Sequence, residues 1–354
     1  MYKETHNKSG KNVSIIQRAH KGRKLLFGIT AVCTMALTML AGCGNNEKTD
    51  TAYGEKKEKV EVNIGYFPNV THAQALVMKN EGTLEEAFGE DASVNWTSFN
   101  AGPAEVEAIF AGDIDIGYIG PVPAINANVK SDGDVRILTG ATQAGSIMIK
   151  RADSDIESVA DLAGKNVAIP QMGNTQHLCL LALLEENGLK PATDGGTVNV
   201  AAVANADVGN MLAQGNIDAA LVPEPWGATL LDQGAELLLD ENQVFMEGDY
   251  SVAVVVVRKE FEEAHPEIVE AFLKAHDEAT EAINDNLNEK TQVMNEEIYN
   301  ATSKKLDEAL LTEAFNRIKV DSAINKASID RFVEIGLSQN FISEKPKDNL
   351  LDEK

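Results

Sequence analysis

The sequence predicts an α/β protein of two similarly built lobes with a ligand cleft between them. Three observations carry that prediction. From Phe99 to Pro123 the chain reads as a loop holding Gly102 and Pro103, then a short helix with Val106, Ile109 and Phe110 on one face. A Gly112 stop, an apolar strand over Ile114 to Ile119 and a second loop at Gly120 to Pro123 follow. The same grammar returns about a hundred residues on, with a helix at Val208 to Gly215, a strand at Ile217 to Val222 and the loop Pro223-Glu-Pro-Trp226. Gly112-Asp-Ile-Asp115 then lines up with Gly215-Asn-Ile-Asp218. Upstream of each unit lies a second matching pair, strand then polar loop then helix. Val62 to Phe67 leads to Pro68-Asn-Val-Thr-His72, and Val167 to Ile169 leads to Pro170-Gln-Met-Gly-Asn-Thr-Gln-His177. Loops that follow the parallel strands of an open sheet gather at its carboxyl edge, where ligands bind.

Length and composition bound the reading. The 354 residues allow two compact domains, and 44% apolar content is that of a globular chain. The formal net charge is −24. It becomes more acidic once the first 42 residues, with seven Lys or Arg against one Glu, are set aside. Such a balance argues against nucleic acid or an anionic membrane face as partner. It says little about a small ligand, because dipoles inside a cleft act at short range while salt screens distant charge.

The amino terminus predicts export. Arg18, Lys21, Arg23 and Lys24 precede an apolar run from Leu25 to Leu40, too short to span a bilayer comfortably. Leu40-Ala-Gly-Cys43 closes the run and resembles a bacterial lipobox, which marks residues 1–42 as a lipoprotein signal and Cys43 as the lipidated residue. Residues 43–59, rich in Asn, Glu, Lys and Thr, read as a flexible tether. Of the three cysteines only Cys179 then stays unmodified, in the apolar helical run Leu178 to Leu184, where it is expected to be a buried small hydrophobe.

In chain order, Val60 to Phe67 is a first strand and His72 to Lys79 a helix stopped near Gly82. Val94 to Phe99 is the next strand. Val135 to Gly140 is a strand ending in a polar turn, Ala141 to Ser146, and Ile147 to Lys150 is extended. Residues 141–150 make the first crossing between lobes. Ile156 to Ala163 is a short helix, Gly164 to Ile169 a strand, and Thr197 to Ala202 another. Val252 to Val257, almost all valine, is a strand buried on both faces and the return crossing. Lobe 1 therefore takes residues 60–145 and 252–340, and lobe 2 residues 146–251. Helices are expected from His265 to His276, with Ile268, Phe272 and Leu273 inward, and near 289–299, 305–318 and 325–337. Residues 341–354 read as a charged, disordered tail.

Chemistry is expected where helices start. First-turn amides lack internal partners and carry partial positive charge, so several converging starts form an anion site without a fixed cation. Asn69, Thr71 and His72 in one lobe, and Asn174, Thr175, Gln176 and His177 in the other, stand at such starts, although helix capping alone would also select Asn and Thr. Gly102 permits close backbone approach. Tyr118 is either a core residue or a cleft wall. Glu224 either caps a cleft, binds an ammonium group or faces water, and Trp226 either stacks on a ligand or seals the lobe's core. Asp113-Ile-Asp-Ile-Gly117 is no calcium loop, because position twelve is Ala124. His177 and Cys179, two apart on a helix, suggest neither a zinc pair nor a catalytic dyad. No phosphate loop, dinucleotide fingerprint or Gly-x-Ser-x-Gly motif is present, and neither metal nor cofactor is expected.

Five motifs in order carry a family resemblance. They are Gly65-Tyr-Phe-Pro-Asn-Val-Thr-His-Ala-Gln-Ala75, Phe99-Asn-Ala-Gly-Pro103, Asp115-Ile-Gly-Tyr-Ile-Gly-Pro-Val-Pro-Ala124, Gly173-Asn-Thr-Gln176 and Asp218-Ala-Ala-Leu-Val-Pro-Glu-Pro-Trp226. Together they resemble the nitrate/sulfonate/taurine family of ABC transporter substrate-binding proteins, most closely its aliphatic sulfonate binders, over nearly all of residues 60–340. The resemblance implies a type II periplasmic-binding-protein fold with two crossover strands that closes on its ligand by hinge motion. It also implies a monomeric receptor outside the cytoplasm that passes a small organic anion to a membrane permease driven by a separate ATPase. By position it implicates Asn69, Thr71, His72, Gly102, Pro103, Tyr118, Gly120, Asn174, Thr175 and Glu224 in the ligand pocket. Two departures bear on the ligand. His177 stands where sulfonate-like members commonly have Asp, and Ala144-Gly-Ser146 replaces a more glycine-rich turn. Within the fold, nitrate or a heterocyclic vitamin precursor is the alternative ligand, and a thiamine-pyrimidine-synthase-like enzyme is the alternative of another class.

Overall fold

A computed structural model describes residues 59–351. The expected signal, the tether residues up to 58 with Cys43, and residues 352–354 lie outside the described residues. In the described part the strands are β1 (Val60–Tyr66), β2 (Ala92–Ser98), β3 (Ile116–Ile119), β4 (Val135–Ala144), β5 (Ser146–Lys150), β6 (Asn166–Ile169), β7 (Asn199–Ala202), β8 (Ala219–Pro223), β9 (Glu236–Leu239), β10 (Ser251–Arg258) and β11 (Ile318–Val320). They form two sheets, ordered β11-β4-β10-β3-β1-β2 and β7-β6-β8-β5-β9. Both belong to one compact unit, Lys56–Lys354.

The two sheets repeat one plan. In the first, β2, β1 and β3 run parallel and β10 lies antiparallel beside β3. In the second, β7, β6 and β8 run parallel and β5 lies antiparallel beside β8. The chain passes from β4 in one sheet to β5 in the other through Gly145, whose φ of +79° is one that glycine adopts at no steric cost. It returns between β9 and β10.

Repetition in sequence has a structural cause at Asp115 and Asp218. Each immediately precedes the central strand of its lobe. Asp115 Oδ2 accepts from the backbone N–H of Asn63 at 2.9 Å, and Asp218 Oδ2 accepts from that of Asn166 at 2.8 Å. Each carboxylate also faces an arginine, Arg258 for Asp115 and Arg151 for Asp218. The Gly-x-Ile-Asp motif thus sets the register of β3 on β1 and of β8 on β6.

Layering follows from alternation along the central strands. Val254 and Val256 of β10 enter one apolar layer while Val255 and Val257 enter the other, which is why every position of the run is apolar. One layer is closed by helices Ala73–Glu81 and Pro266–Asp285, which carry Leu76, Phe272 and Ile283. The other is continuous between lobes through helices Pro121–Lys130, Thr175–Glu186 and Lys326–Ser338. Cys179 lies in that layer, buried, with its thiol pKa pushed up by burial.

Four expectations are corrected. Phe110 is 43% exposed, because the helix Gly102–Ala111 buries Gly102, Glu105, Val106 and Ile109, and Phe110 falls at the edge of that stripe in the last turn. Ala141 to Ala144 is not a turn but continues β4, since Thr142 and Lys319-paired Gln143 are held by β11. The 305–318 helix is only Glu308–Phe315, and the three-residue β11 follows it. The charged tail is not disordered over its described residues. Ile342 and Leu350 are buried, Leu350 O accepts from the Ile137 N–H at 2.8 Å, and Asn128 Oδ1 accepts from the Lys347 N–H at 2.9 Å. Two spaced apolar residues suffice to dock a segment whose average composition is charged.

The least expected core group is Glu105, fully buried with both carboxyl oxygens unpartnered. It occupies the space left by Gly65 and Gly117, which pair with each other across β1 and β3. A Cβ at Gly65 would stand 2.1 Å from Glu105 Oε1, and one at Gly117 would stand 2.4 Å away. Gly65→Ala is therefore expected to cost roughly 1–3 kcal/mol by overpacking. In a Glu105→Ala background most of that cost should vanish, a non-additivity that urea unfolding of the two singles and the double variant measures.

Candidate functional site

Every parallel strand ends at one place. The residues just after β1, β2 and β3, namely Phe67 with Asn69, Asn100 with Gly102, and Gly120, face those just after or ending β6, β7 and β8, namely Pro170, Asn205 and Pro223. They enclose a cavity of about 30 Å³ between the lobes, completed by Thr71, His72, Asn174, Thr175 and Gln176. That volume is near one or two water molecules, so the lobes stand closed and a larger guest requires them to part.

Helix starts converge on this space. Helices Gly102–Ala111, Pro121–Lys130 and Thr175–Glu186 all begin at its wall, and Val70–His72 leads helix Ala73–Glu81 away from it. Close approach depends on glycine at two points. A Cβ at Gly102 would stand 2.3 Å from Pro123 Cγ, and one at Gly120 would stand 2.4 Å from Thr175 Oγ1 of the opposite lobe. Among the described residues the lining holds amides and hydroxyls beside apolar groups, but no Lys, Arg, Asp or Glu. Oriented amides with no fixed cation favour an anion that is not so strongly charged as to need one.

Of the expected site residues, the structure brings Asn69, Thr71, His72, Gly102, Gly120, Asn174, Thr175 and Gln176 to the cavity. It does not bring Pro103, Tyr118, His177, Glu224 or Trp226 there, and each has another environment. Pro103 packs beside Gly173 of the other lobe. Tyr118 is a core residue whose hydroxyl meets His276 Nδ1 at 2.6 Å, while His276 Nε2 donates to Gly140 O at 2.9 Å. His177 Nδ1 accepts from the Gly173 N–H at 3.1 Å, and its ring lies against Phe341. His72 uses Nδ1 in the same way on the Phe67 N–H, so the paired histidines of the sequence repeat both pin the loop that precedes their helix. Asn174 caps its helix by accepting from the His177 N–H at 2.9 Å, so capping and lining coincide in one side chain.

Glu224 and Trp226 hold the lobes together rather than line the cavity. Glu224 Oε2 accepts from the Ala228 N–H and Oε1 pairs with Arg317 at 3.0 Å. Arg317 comes from the segment before β11 in the other sheet. Trp226 seals an apolar layer of lobe 2, and its Nε1–H donates to Asn69 Oδ1 at 2.7 Å across the cleft. Lys304 adds a third link, donating to Ala206 O at 2.9 Å with its ammonium over the Trp226 ring.

Sequence reasoning missed Phe67, Asn100, Pro170, Asn205, Pro223 and Val252 as lining residues. The available signal was the strand-end rule itself, which applies to the loop after Thr197 to Ala202 as much as to the five loops it was used on. Asn205 is the consequential omission.

A two-lobed fold with a cleft built from strand-end loops is that of the periplasmic binding proteins. The chain belongs to the NMT1-like family, whose model matches residues 55–295. A taurine-binding periplasmic protein of Escherichia coli (strain K12) is 32% identical over 216 residues, 61% of this chain and 64% of that protein. The chain therefore spans less than two thirds of that relative's length. The fold is similar to that of the alkanesulfonate-binding protein SsuA from Xanthomonas axonopodis pv. citri, with a TM-score of 0.69 at 21% identity over 81% of this chain and 96% of the other. A Candida albicans protein described as having the generic periplasmic-binding-protein fold aligns with a TM-score of 0.63 at 11% identity, over 82% and 93%.

Burial sets the protonation around the cavity. It lowers the pKa of His72 to about 3 and that of His276 to about 4, so both rings are neutral in the folded chain. The unfolded chain takes up these protons near pH 6.5. Stability is then complete above about pH 6.5 and is lost as pH falls toward 4, at up to about 1.4 kcal/mol per pH unit for each ring. Burial raises the Glu105 carboxyl well above its ordinary range, which acts with opposite sign, its contribution being lost as pH rises. His276→Gln should accordingly unfold with a shallower dependence on pH between 4 and 6.5, measured by urea titration across that window. An unchanged slope would show that His276 is charged in the folded chain.

Proposed function

We propose that this protein is the extracytoplasmic substrate-binding component of an ABC importer. It captures a small organic anion, an aliphatic sulfonate such as an alkanesulfonate or taurine, and delivers it to a permease driven by a separate ATPase. The observation that carries this reading is the convergence of three helix amino termini on an uncharged, amide- and hydroxyl-lined cavity between two lobes. First-turn N–H groups and the Thr and Asn side chains hold the anionic oxygens. Phe67, Pro123, Pro170, Pro223 and Val252 give the carbon tail an apolar wall. Binding involves no covalent step, and ligand favours closure only through contacts made to both lobes at once. The kinship with a taurine-binding protein and the likeness to an alkanesulfonate-binding structure support the sulfonate class.

Lipidation of Cys43 anchors the receptor to the outer face of the membrane, with residues 43–59 as its tether. Labelled palmitate is expected to be retained by the wild-type chain in cells and lost on Cys43→Ala; equal labelling of both would refute the anchor.

A thermal-shift series over alkanesulfonates, taurine, sulfate, nitrate, phosphonates and pyrimidine precursors tests the ligand class. A ligand that binds only the folded state raises the melting temperature as its concentration exceeds the dissociation constant. Organosulfonates should stabilise the wild type and lose most of that effect with Gly120→Ala, because the added methyl meets Thr175 and keeps the lobes apart. A response confined to nitrate or to a pyrimidine would overturn the sulfonate reading.

A further inference from the structure

Among the described residues that line the cavity, one buried side-chain oxygen has no partner. Asn205 is 4% exposed, and its Oδ1 accepts no hydrogen bond. The oxygens of the other buried lining amides are engaged. Asn69 Oδ1 accepts from Trp226, Asn174 Oδ1 accepts from His177, and Gln176 Oε1 accepts from Asn174. Asn205 begins the first turn after β7, on the lobe 2 wall, and Pro170 and Pro223 at the ends of β6 and β8 line the same cavity. Asn205 opens the 3-10 turn Asn205–Asp207, which runs directly into the helix Val208–Ala213, and its Oδ1 makes no capping hydrogen bond to either.

A buried acceptor left unmade carries the desolvation cost of that group, and it is relieved only by a donor. Anionic oxygens cannot supply one, and they are served elsewhere by the helix starts. The carboxylate that might have received a cationic tail, Glu224, is already taken by Arg317 and the Ala228 N–H.

We infer that Asn205 Oδ1 accepts a hydrogen bond from the non-anionic end of the ligand, so that this receptor selects organic anions bearing an ammonium or hydroxyl group over plain alkyl ones. The inference rests on the sulfonate reading and refines it: 2-aminoethanesulfonate, or its hydroxyl counterpart, is bound in preference to propanesulfonate, which has the same shape but ends in a methyl. A hydrogen bond to a charged donor, weighed against an orphaned buried acceptor, corresponds to a preference of about tenfold to a hundredfold.

Calorimetric titration of the full chain with 2-aminoethanesulfonate, 2-hydroxyethanesulfonate and propanesulfonate tests this, with Asn205→Leu and Asn205→Asp beside the wild type. The wild type should prefer both donor-bearing sulfonates. Asn205→Leu should lower the ratio of aminosulfonate to propanesulfonate affinity by about tenfold or more, and Asn205→Asp should raise it, since a carboxylate attracts the ammonium. A wild type that prefers propanesulfonate overturns the inference even if neither variant folds. So does equal loss of all three ligands in Asn205→Asp, which would place the amide nitrogen on the anion instead. Binding of none of the three by the wild type, with a response to some other anion, overturns the sulfonate reading and this refinement together.

Discussion

The backbone amides that a helix cannot satisfy within itself are the constraint on which this structure depends. Four N–H groups at each helix start need partners, and a start buried without them is costly. Here three starts are turned toward one another across an interlobe space, and side-chain amides and hydroxyls stand beside them. Such a convergence requires the strands that feed the helices to end level. Asp115 and Asp218 meet that requirement by fixing each central strand against its neighbour through a carboxylate-to-backbone bond. It also requires backbones to approach closely, which Gly102 and Gly120 permit by lacking a side chain that would meet Pro123 and Thr175.

Charge is distributed so that the site and the surface act differently. The chain carries a formal net charge of −24, yet among the described residues no Lys, Arg, Asp or Glu lines the cavity. Long-range field and short-range dipoles are separable because salt screens the first within roughly 10 Å while leaving oriented amides in a buried cleft largely unscreened. Ionic groups outside the lining join the lobes. Arg317 closes on the buried Glu224, and Lys304 on Ala206 and the Trp226 ring, so fixed charges favour the closed arrangement without entering the space they enclose.

Much of the fold was legible in the sequence because its signals are local. The valine run of β10 announces a strand apolar on both faces, and the repeated Gly-x-Ile-Asp motif announces two lobes. Helix-start residues such as Asn174 and Thr175 were legible for the same reason. Short strands were not. The four residues of β9 and the three of β11 carry too little pattern to stand out, and they owe their pairing to β5 and β4. Phe110 and the segment after Glu344 misled in opposite directions. An apolar residue at a helical spacing was left outside, and a charged segment was docked by the buried Leu350 together with its backbone bond to Ile137 and that of Lys347 to Asn128.

What the sequence by itself determined is the class of architecture, its two lobes and the loops that follow its strands. Each of these follows from spacing along the chain, and spacing is a property of one dimension. Only tertiary structure decided which polar residues of those loops meet and what each is already doing. Glu224 and Arg317 lie 93 positions apart, and Trp226 and Asn69 lie 157 apart, so no local pattern could show that their polar groups are spent on one another. For the same reason the strand-end rule could point to the segment that holds Asn205 but not to its unpartnered oxygen. A residue is marked as a candidate ligand contact by the absence of a partner among everything folded around it, and that absence exists only once the whole chain is in place.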